Sequence, residues 1–487
     1  MTVGDDKDGL AGLQARLEED LAFLQLPSRA WVTPQEFGGR RVRDTVIVGA
    51  GMCGLAALAA LRLAGVENAI AYDEAPEGRE GPWLTYARMN TLRSPKVLVG
   101  PALGFSSLTF RAWYTAQYGA AGWEALDKIP TGQWMDYLIW YRKALALPVE
   151  NGVALQEISP AREDLLALRF EGPEGGFVEY ARHLVLATGR AGLGGVDVPD
   201  FLDGIDRRFW AHSADDIDFE ALAGKRVAVI GAGASAMDNA ATALEHGAAS
   251  VDMLIRRPEM PRINKMTGIG SKGVVNGLRF LPDAWKWKFY EYVAGQQTPP
   301  PRSSTLRVSR HPNARFFLDC PIKAVRERAG GLTVETKQGA FAADFLIAAT
   351  GFRNDFADRP EFASIAPHVR TWADGVYTPE MGGPVESLLE APYLGDAFEF
   401  LEKKPGACPM LSRIHCFNDA AMLSHGKLSG DIPAVSEGAE RLMRGIVAEI
   451  FVADRAKQYS LLEAYADPEL HGDEWTDSTP RRNSAAE

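Results

Sequence analysis

An α/β fold built from two copies of one strand, turn and helix unit is expected from three observations. The stretches "DTVIVGAGMCGLAALAAL" at 44–61 and "KRVAVIGAGASAMDNAATAL" at 225–244 each read as a short apolar strand, a glycine turn and an alanine-rich helix. Each unit is followed by a run of short alternating strands separated by Gly- or Pro-containing turns. Each run closes on an apolar strand ending in Ala-Thr-Gly, at 187–189 and again at 349–351. One such unit holds one dinucleotide, so the repeat predicts two Rossmann-like dinucleotide-binding domains, each with a parallel sheet and a β-meander.

Composition narrows the partners. The 487 residues suffice for two or three domains with full cores. With 46% hydrophobic and 24% charged residues, the chain has the composition of an ordinary soluble protein. A net charge of −12 opposes an electrostatic grip on nucleic acid or anionic membrane and leaves small molecules as expected partners, with a homo-oligomer open. The start "MTVGDDKDGL" lacks the basic and apolar regions of a secretory signal. The apolar helix at 55–63 is interrupted by Arg62 and is too short to span a bilayer, so a cytoplasmic location is expected. Cys53, Cys320, Cys408 and Cys416 match neither a zinc spacing nor a C-x-x-C redox pair, and no metal site is expected. Each cysteine reads as a small buried apolar residue.

Along the chain, Leu10, Leu13, Leu17 and Leu21 form one apolar stripe, so an N-terminal helix is expected from about Asp8 to Leu26, in an extension over 1–40. A second helix carries Trp134, Leu138, Tyr141 and Leu145 on a core face. The first meander comprises "VALQEIS", "LLALRF" and "FVEYARHLVLAT"; the second comprises "FFLDCPIKAVRE", "LTVETKQG" and "FAADFLIAATG". Between them, 258–310 is basic, aromatic and proline-rich without a clear period, and reads as an insertion over a cleft or a surface excursion. "GDIPAVSEGAERLMRGIVAEIF" supplies Gly430, Asp431 and a C-terminal amphipathic helix with Ser436 as its N-cap.

The two glycine turns differ in what they suit. In "GAGMCG", Gly49 permits the tight turn, Gly51 admits a pyrophosphate and Gly54 brings helix and strand together. Asp73 closes the following strand, where a carboxylate accepts from ribose hydroxyls and repels a 2′-phosphate, so this site suits FAD or NAD. The second turn, "GAGASA", carries Gly231, Gly233, Ser235 and Ala236, and its second strand ends in Arg256 and Arg257. Guanidiniums match a 2′-phosphate, so this site is expected to hold NADPH; surface arginines without a ligand are the alternative. An FAD-type site followed by an NADPH-type site implies hydride transfer from nicotinamide to flavin. Without a cysteine pair to reduce, dioxygen becomes the leading acceptor.

These residues resemble the class B flavin-dependent monooxygenases, which include the flavin-containing, N-hydroxylating and Baeyer–Villiger enzymes. The likeness covers about 45–356 and rests on "AYDEAPEGREGPW" with Trp83, on "GAGASAMDNA", and on the closing "DFLIAATGFRNDF". It implies a domain order of FAD-binding 41–222, NADPH-binding 223–344 with the insertion at about 258–310, and the rest of the FAD-binding domain with C-terminal helices at 345–487. In this arrangement the NADPH domain is inserted into the FAD domain. It further implies an FAD that is reduced by NADPH and forms a C4a-(hydro)peroxide, which oxygenates a nucleophilic N or S or a carbonyl carbon. Thr188, Gly189, Thr350 and Gly351 then line the cofactors, and Asp431 either touches the ribityl chain or caps a turn.

Two departures qualify the resemblance. The family's Phe-x-Gly-x-x-x-His linker is not met, although Phe209, His212 and Ser213 remain, which points to N or S rather than Baeyer–Villiger oxygenation. His212 is left with two roles, coupling domain movement to cofactor binding or an ordinary linker residue. Where the flavin-containing enzymes often have Asn, the chain has Arg93, a candidate catalytic residue that would bond the flavin edge or an anionic substrate, or form a salt bridge. An NADPH-dependent reductase passing electrons to a quinone or protein carrier, and a nucleotide sensor without turnover, are the alternatives.

Overall fold

The computed structural model describes residues 9–479. Helix α1 spans Gly9–Phe23, with Leu13 and Leu17 fully buried; Asp8, the first residue expected in it, lies outside the described residues.

Strand β1 (Arg43–Val48) is a buried Thr-Val-Ile-Val run at the centre of a parallel sheet, where β-branched side chains pack on both faces. It leads through the glycine turn into α2 (Met52–Leu63), whose alanines let it lie close to the sheet. The sheet continues through β2 (Ala69–Asp73) and β3 (Val149–Asn151) on one side of β1. Helix α3 (Thr131–Ala144) buries Trp134, Leu138 and Tyr141 on one face. On the other side of β1, the meander β4 (Ala154–Arg162), β5 (Leu165–Gly172) and β6 (Gly175–Leu186) belongs to the same sheet. The twelve-residue β6 does both jobs: it pairs antiparallel with β5, and its second half pairs parallel with β1.

The second sheet is wholly parallel, in the order β7 (Trp210–His212), β14 (Phe345–Ala348), β8 (Arg226–Ile230), β9 (Ser250–Leu254), β10 (Ala314–Phe317), with α4 (Ala234–Glu245) following β8. The second meander, β11 (Ile322–Arg328), β12 (Gly331–Thr336) and β13 (Gly339–Ala343), is a separate antiparallel sheet. The expected strand "FFLDCPIKAVRE" is therefore two. Its first residues end β10 at the edge of the parallel sheet, Asp319 turns the chain at φ +49° and Pro321 precedes β11. After the second sheet, β15 (Ile414–Cys416) returns to pair with β6 of the first.

The 258–310 segment is more regular than its sequence suggests. It contains α5 (Asp283–Gln296) and α6 (Arg302–Ser309). Aromatics ring α5, so no single face shows in the sequence: Trp287 and Tyr290 are buried beside Trp372, Val376 and Leu423, while Trp285 and Tyr292 face outward. Helix α6 lies on α4, where buried Arg307 pairs with Asp238 (3.3 Å) and Glu245 (2.7 Å). The segment bridges the second parallel sheet's helical layer and the C-terminal part of the chain. Helix α7 (Val435–Ala453) then packs on α2. Among the described residues no helix is long and apolar enough to cross a membrane.

At the start of β1, Asp44 is buried beside the Arg182–Asp454 ion pair (2.8 Å), and desolvation pushes its carboxyl up to about 6, outweighing the pull of Arg182 and Arg41. A pKa raised on folding means that the native state keeps a proton the unfolded chain has lost, so stability falls as pH rises from about 4 to about 6 and stays lower above that. The ionised carboxylate then costs at most about 3 kcal/mol. Asp44→Asn is expected to melt a few degrees above the parent at pH 8, with the difference vanishing near pH 4. Parallel thermal melts check this, and equal melting temperatures at pH 8 would contradict it.

Candidate functional site

The first turn is shaped by exclusion of side chains. Gly49 has φ +97°, and a Cβ there would collide with the carbonyl oxygen of Ala187. A Cβ on Gly54 would overlap the carbonyl oxygen of Gly49, which is why helix α2 needs glycine there. Gly51 is different: its φ is ordinary and an added Cβ meets the Gly81 backbone no closer than 3.7 Å. Gly51 is also the N-cap of α2 and offers no side-chain cap, so the first N–H groups of the helix keep their capacity for a phosphate. Asp73 closes β2 with one oxygen accepting from the Ala50 N–H (2.6 Å) and the other from the Ala75 N–H (2.8 Å). Its carboxylate therefore braces the turn while keeping lone pairs for a further donor. Burial raises its pKa, and the two backbone N–H bonds oppose the shift. Nearby, the buried indole N–H of Trp83 has no acceptor.

The second turn repeats the geometry with one change. Gly231 sits at φ +117° against the Ala349 carbonyl, and Ala236 fits where the first turn required Gly54. Gly233, the N-cap of α4, faces open space, and again no side chain caps the helix. Ser235 is exposed in the first turn of α4, its carbonyl accepting from Asn239. Arg256 is exposed and makes no hydrogen bond or ion pair among the described residues, whereas Arg257 donates to the Gly295 carbonyl at 3.2 Å.

Each Ala-Thr-Gly segment lies against its own turn. Thr188 donates to the Gly192 carbonyl (3.2 Å) and accepts from Asn418 (3.1 Å), and Gly189 follows at φ +74°. Thr350 bonds the Asp197 carbonyl, and Gly351 follows at φ +101°. His212 ends β7 beside Ala348, and the Ser213 N–H donates to the Ala348 carbonyl (2.9 Å). The His212 Nδ1 accepts from the Ala214 N–H (3.1 Å), while the buried Nε2 lies by the Gly351 backbone without a well-formed hydrogen bond. Burial lowers its pKa against the pull of Asp215, which keeps the ring neutral near pH 7. Arg88 ties this linker to the first unit through the carbonyls of Ser213 (2.8 Å) and Asp215 (2.6 Å).

A third group of residues gathers polar and charged side chains from distant segments. Asp431 pairs with Lys427 (3.4 Å) and lies close enough to Arg93 to raise its pKa, against desolvation and the like charge of Arg190, which lower it. The Arg93 guanidinium has no hydrogen-bond or ion-pair partner among the described residues; only its carbonyl is used, by Lys128 (2.9 Å). Asp419 and Asp431 both act on Tyr290, which is buried with its hydroxyl unpartnered. Sequence reading missed Arg190, Asp419 and Tyr290; only Arg190, directly after the first Ala-Thr-Gly, carried a local signal. Ser436 is not the N-cap of α7. It lies inside the helix, donates to the Gly100 carbonyl (2.6 Å) and accepts from the Leu103 N–H (3.0 Å), so it holds the helix to a loop of the first unit.

All four cysteines are free. Burial and the charges of Asp419 and Asp431 push the Cys53 thiol up to about 12, so it is no thiolate near neutral pH.

The two turns fit dinucleotides: uncapped helix starts, open faces at Gly51 and Gly233 and an orphaned indole donor stand where phosphates and polar rings would lie. Residues 43–268 match the pyridine nucleotide-disulphide oxidoreductase family model. Among solved structures, the ornithine hydroxylase of Pseudomonas aeruginosa superposes with a TM-score of 0.64 at 16% identity, over 84% of this chain and 100% of that one. The ornithine N-hydroxylase of Kutzneria sp. 744, solved with reduced FAD, NADP⁺ and L-ornithine, gives 0.63 at 17% identity, over 84% and 99%. At such identities these likenesses concern the fold. In sequence, the FAD-dependent urate hydroxylase of Xanthomonas campestris pv. campestris is 39% identical over 473 residues, 96% of this chain and 99% of the relative. The chain thus belongs to the family of that FAD-dependent hydroxylase.

Proposed function

We propose that the chain hydroxylates urate or a closely related anionic purine, taking O2 and NADPH and releasing NADP⁺ and water with the hydroxylated product. The full-length similarity to a urate hydroxylase supports this substrate class, and the single structural observation that favours an anion is the Arg93 guanidinium, which has no ion-pair partner among the described residues and lies within electrostatic reach of Arg190 as well as of Asp431. Two guanidiniums present planar donors to the carbonyls and anionic edge of a purine. Oxygen is then transferred to a nucleophilic ring atom rather than inserted beside a carbonyl.

In this reading the sheet containing β1 and β15 is the FAD-binding unit, and the sheet containing β8 is the NADPH-binding unit inserted into it. FAD, when bound, supplies the passage of two electrons from NADPH to O2 and the transfer of one oxygen atom. The protein residues position and shield. Gly49, Gly51 and Gly54 with Asp73 and Trp83 hold the first dinucleotide, and Thr188, Gly189 and Asp431 flank it. Gly231, Gly233, Ser235 and Ala236 hold the second, with Arg256 and Arg257 at its 2′-phosphate and Thr350 and Gly351 behind it. His212 and Ser213 sit where β7 joins the second sheet, and the buried Nε2 is a donor or acceptor for the nicotinamide side.

The glycine assignments separate folding from binding. Gly51→Ala is expected to fold with parental circular dichroism and to weaken FAD retention by about tenfold or more, since its Cβ meets no protein atom closely but lies in the pyrophosphate's path. A variant that purifies fully yellow would refute the first-site assignment. Arg256→Ala is expected to raise the KM for NADPH by about tenfold and that for NADH little, through loss of a charge-assisted bond to the 2′-phosphate. Equal effects on both nucleotides would remove Arg256 from the site. For the reaction itself, urate is expected to accelerate NADPH oxidation and to take up one ¹⁸O from labelled O2, with Arg93→Ala raising the KM for urate by about tenfold or more. NADPH oxidation indifferent to urate, with all O2 recovered as hydrogen peroxide, would overturn the reading in favour of a reductase.

A further inference from the structure

Away from the glycine turns, three side chains from distant parts of the chain converge. Strands β6 and β15 pair in parallel with Ile414 opposite Leu184 and His415 opposite Val185. This register sets His183 and His415 two positions apart on the same face of the sheet. Helix α7 brings Glu449 to that face. The His183 Nδ1 lies 3.1 Å from the His415 Nε2 and 3.7 Å from the Glu449 Oε2, and the three ligand atoms all fall within 4.8 Å of one another.

We propose that His183, His415 and Glu449 form a site for a divalent cation of the zinc class, which pins α7 to the first sheet. Four ligands at about 2.0–2.1 Å around a tetrahedral ion stand about 3.3 Å apart along each edge, close to the two distances found here. The donor set is two imidazoles and a carboxylate, as in three-ligand zinc sites that leave the fourth position to water. Orientation supports it. The His415 Nδ1 donates to the Ala397 carbonyl (2.8 Å), which fixes the tautomer and leaves the Nε2 lone pair aimed at His183 and Glu449. Both rings are buried, at 1% and 0% exposure, while the Glu449 side chain is 41% exposed and gives the ion a way in. Without metal, the His183 Nδ1 carries the proton and donates to the His415 Nε2; metal binding moves that proton to the Nε2 of His183, which stays a neutral imidazole. Two guanidiniums stand near. Arg182 is neutralised by its two bonds to Asp454 (2.9 and 2.8 Å), and Arg413 remains as an opposing charge, which disfavours hard cations held by charge alone and leaves those that bond imidazole nitrogen.

The test uses the FAD-loaded protein stripped with a chelator, then titrated with Zn²⁺ against a fluorescent zinc indicator, with metal analysis after gel filtration. One tightly held zinc per chain is expected in the parent. Glu449→Gln, at a partly exposed position, is expected to keep the parental circular dichroism and flavin content while binding zinc at least about tenfold more weakly, and His415→Ala to lose the site. Parent protein that leaves gel filtration without zinc, or a Glu449→Gln variant that binds it as tightly as the parent, would overturn the proposal.

Discussion

The closeness of a glycine turn to the end of the strand that leads into its Ala-Thr-Gly segment governs much of this molecule. At Gly49 the backbone presses on Ala187, and at Gly231 it presses on Ala349, with no room for a Cβ in either place. Each contact fixes where its helix begins relative to its sheet, and so where two sets of uncapped N–H groups point. It also brings each Ala-Thr-Gly segment beside the turn rather than leaving it as a distant loop.

The units share this geometry and differ in their surroundings. The first has a carboxylate spent on bracing its own turn and a glycine where helix meets strand; the second has the Arg256 guanidinium, unpartnered among the described residues, and an alanine there. They are also built into one another. Strand β15 follows the whole second sheet in sequence yet completes the first, Arg88 reaches across to the linker carbonyls, and α5 and α6 bind opposite neighbours.

What the sequence disclosed was local, and what it hid depends on long-range pairing. The glycine turns, Asp73 and the N-terminal leucine stripe each show as a short spacing within one strand, turn and helix unit or one helix, so they are legible although the contacts at Ala187 and Ala349 lie far along the chain. The split of "FFLDCPIKAVRE" is not, because a β run does not reveal whether its neighbour is a parallel strand or a hairpin partner. Ser436 looked like a cap because it precedes an amphipathic pattern, but the loop at Gly100 claims its hydroxyl. Tyr290 and Asp419 meet only through the fold, and no cysteine or histidine spacing announces the cluster of His183, His415 and Glu449.

The twelve-residue strand β6 has a bearing on how the protein can be handled. One of its edges is taken by β1, and the other is taken first by β5 of its meander and then by a three-residue strand from beyond position 400. A fragment ending before that return strand would bare part of a hydrophobic sheet at its middle, an open template for other chains. The coding sequence therefore cannot be cut at the apparent unit boundary to give two well-behaved halves. Chimaeras exchanging the second unit have to be spliced at two points, in and out, leaving 414–416 with the parent that supplies β6.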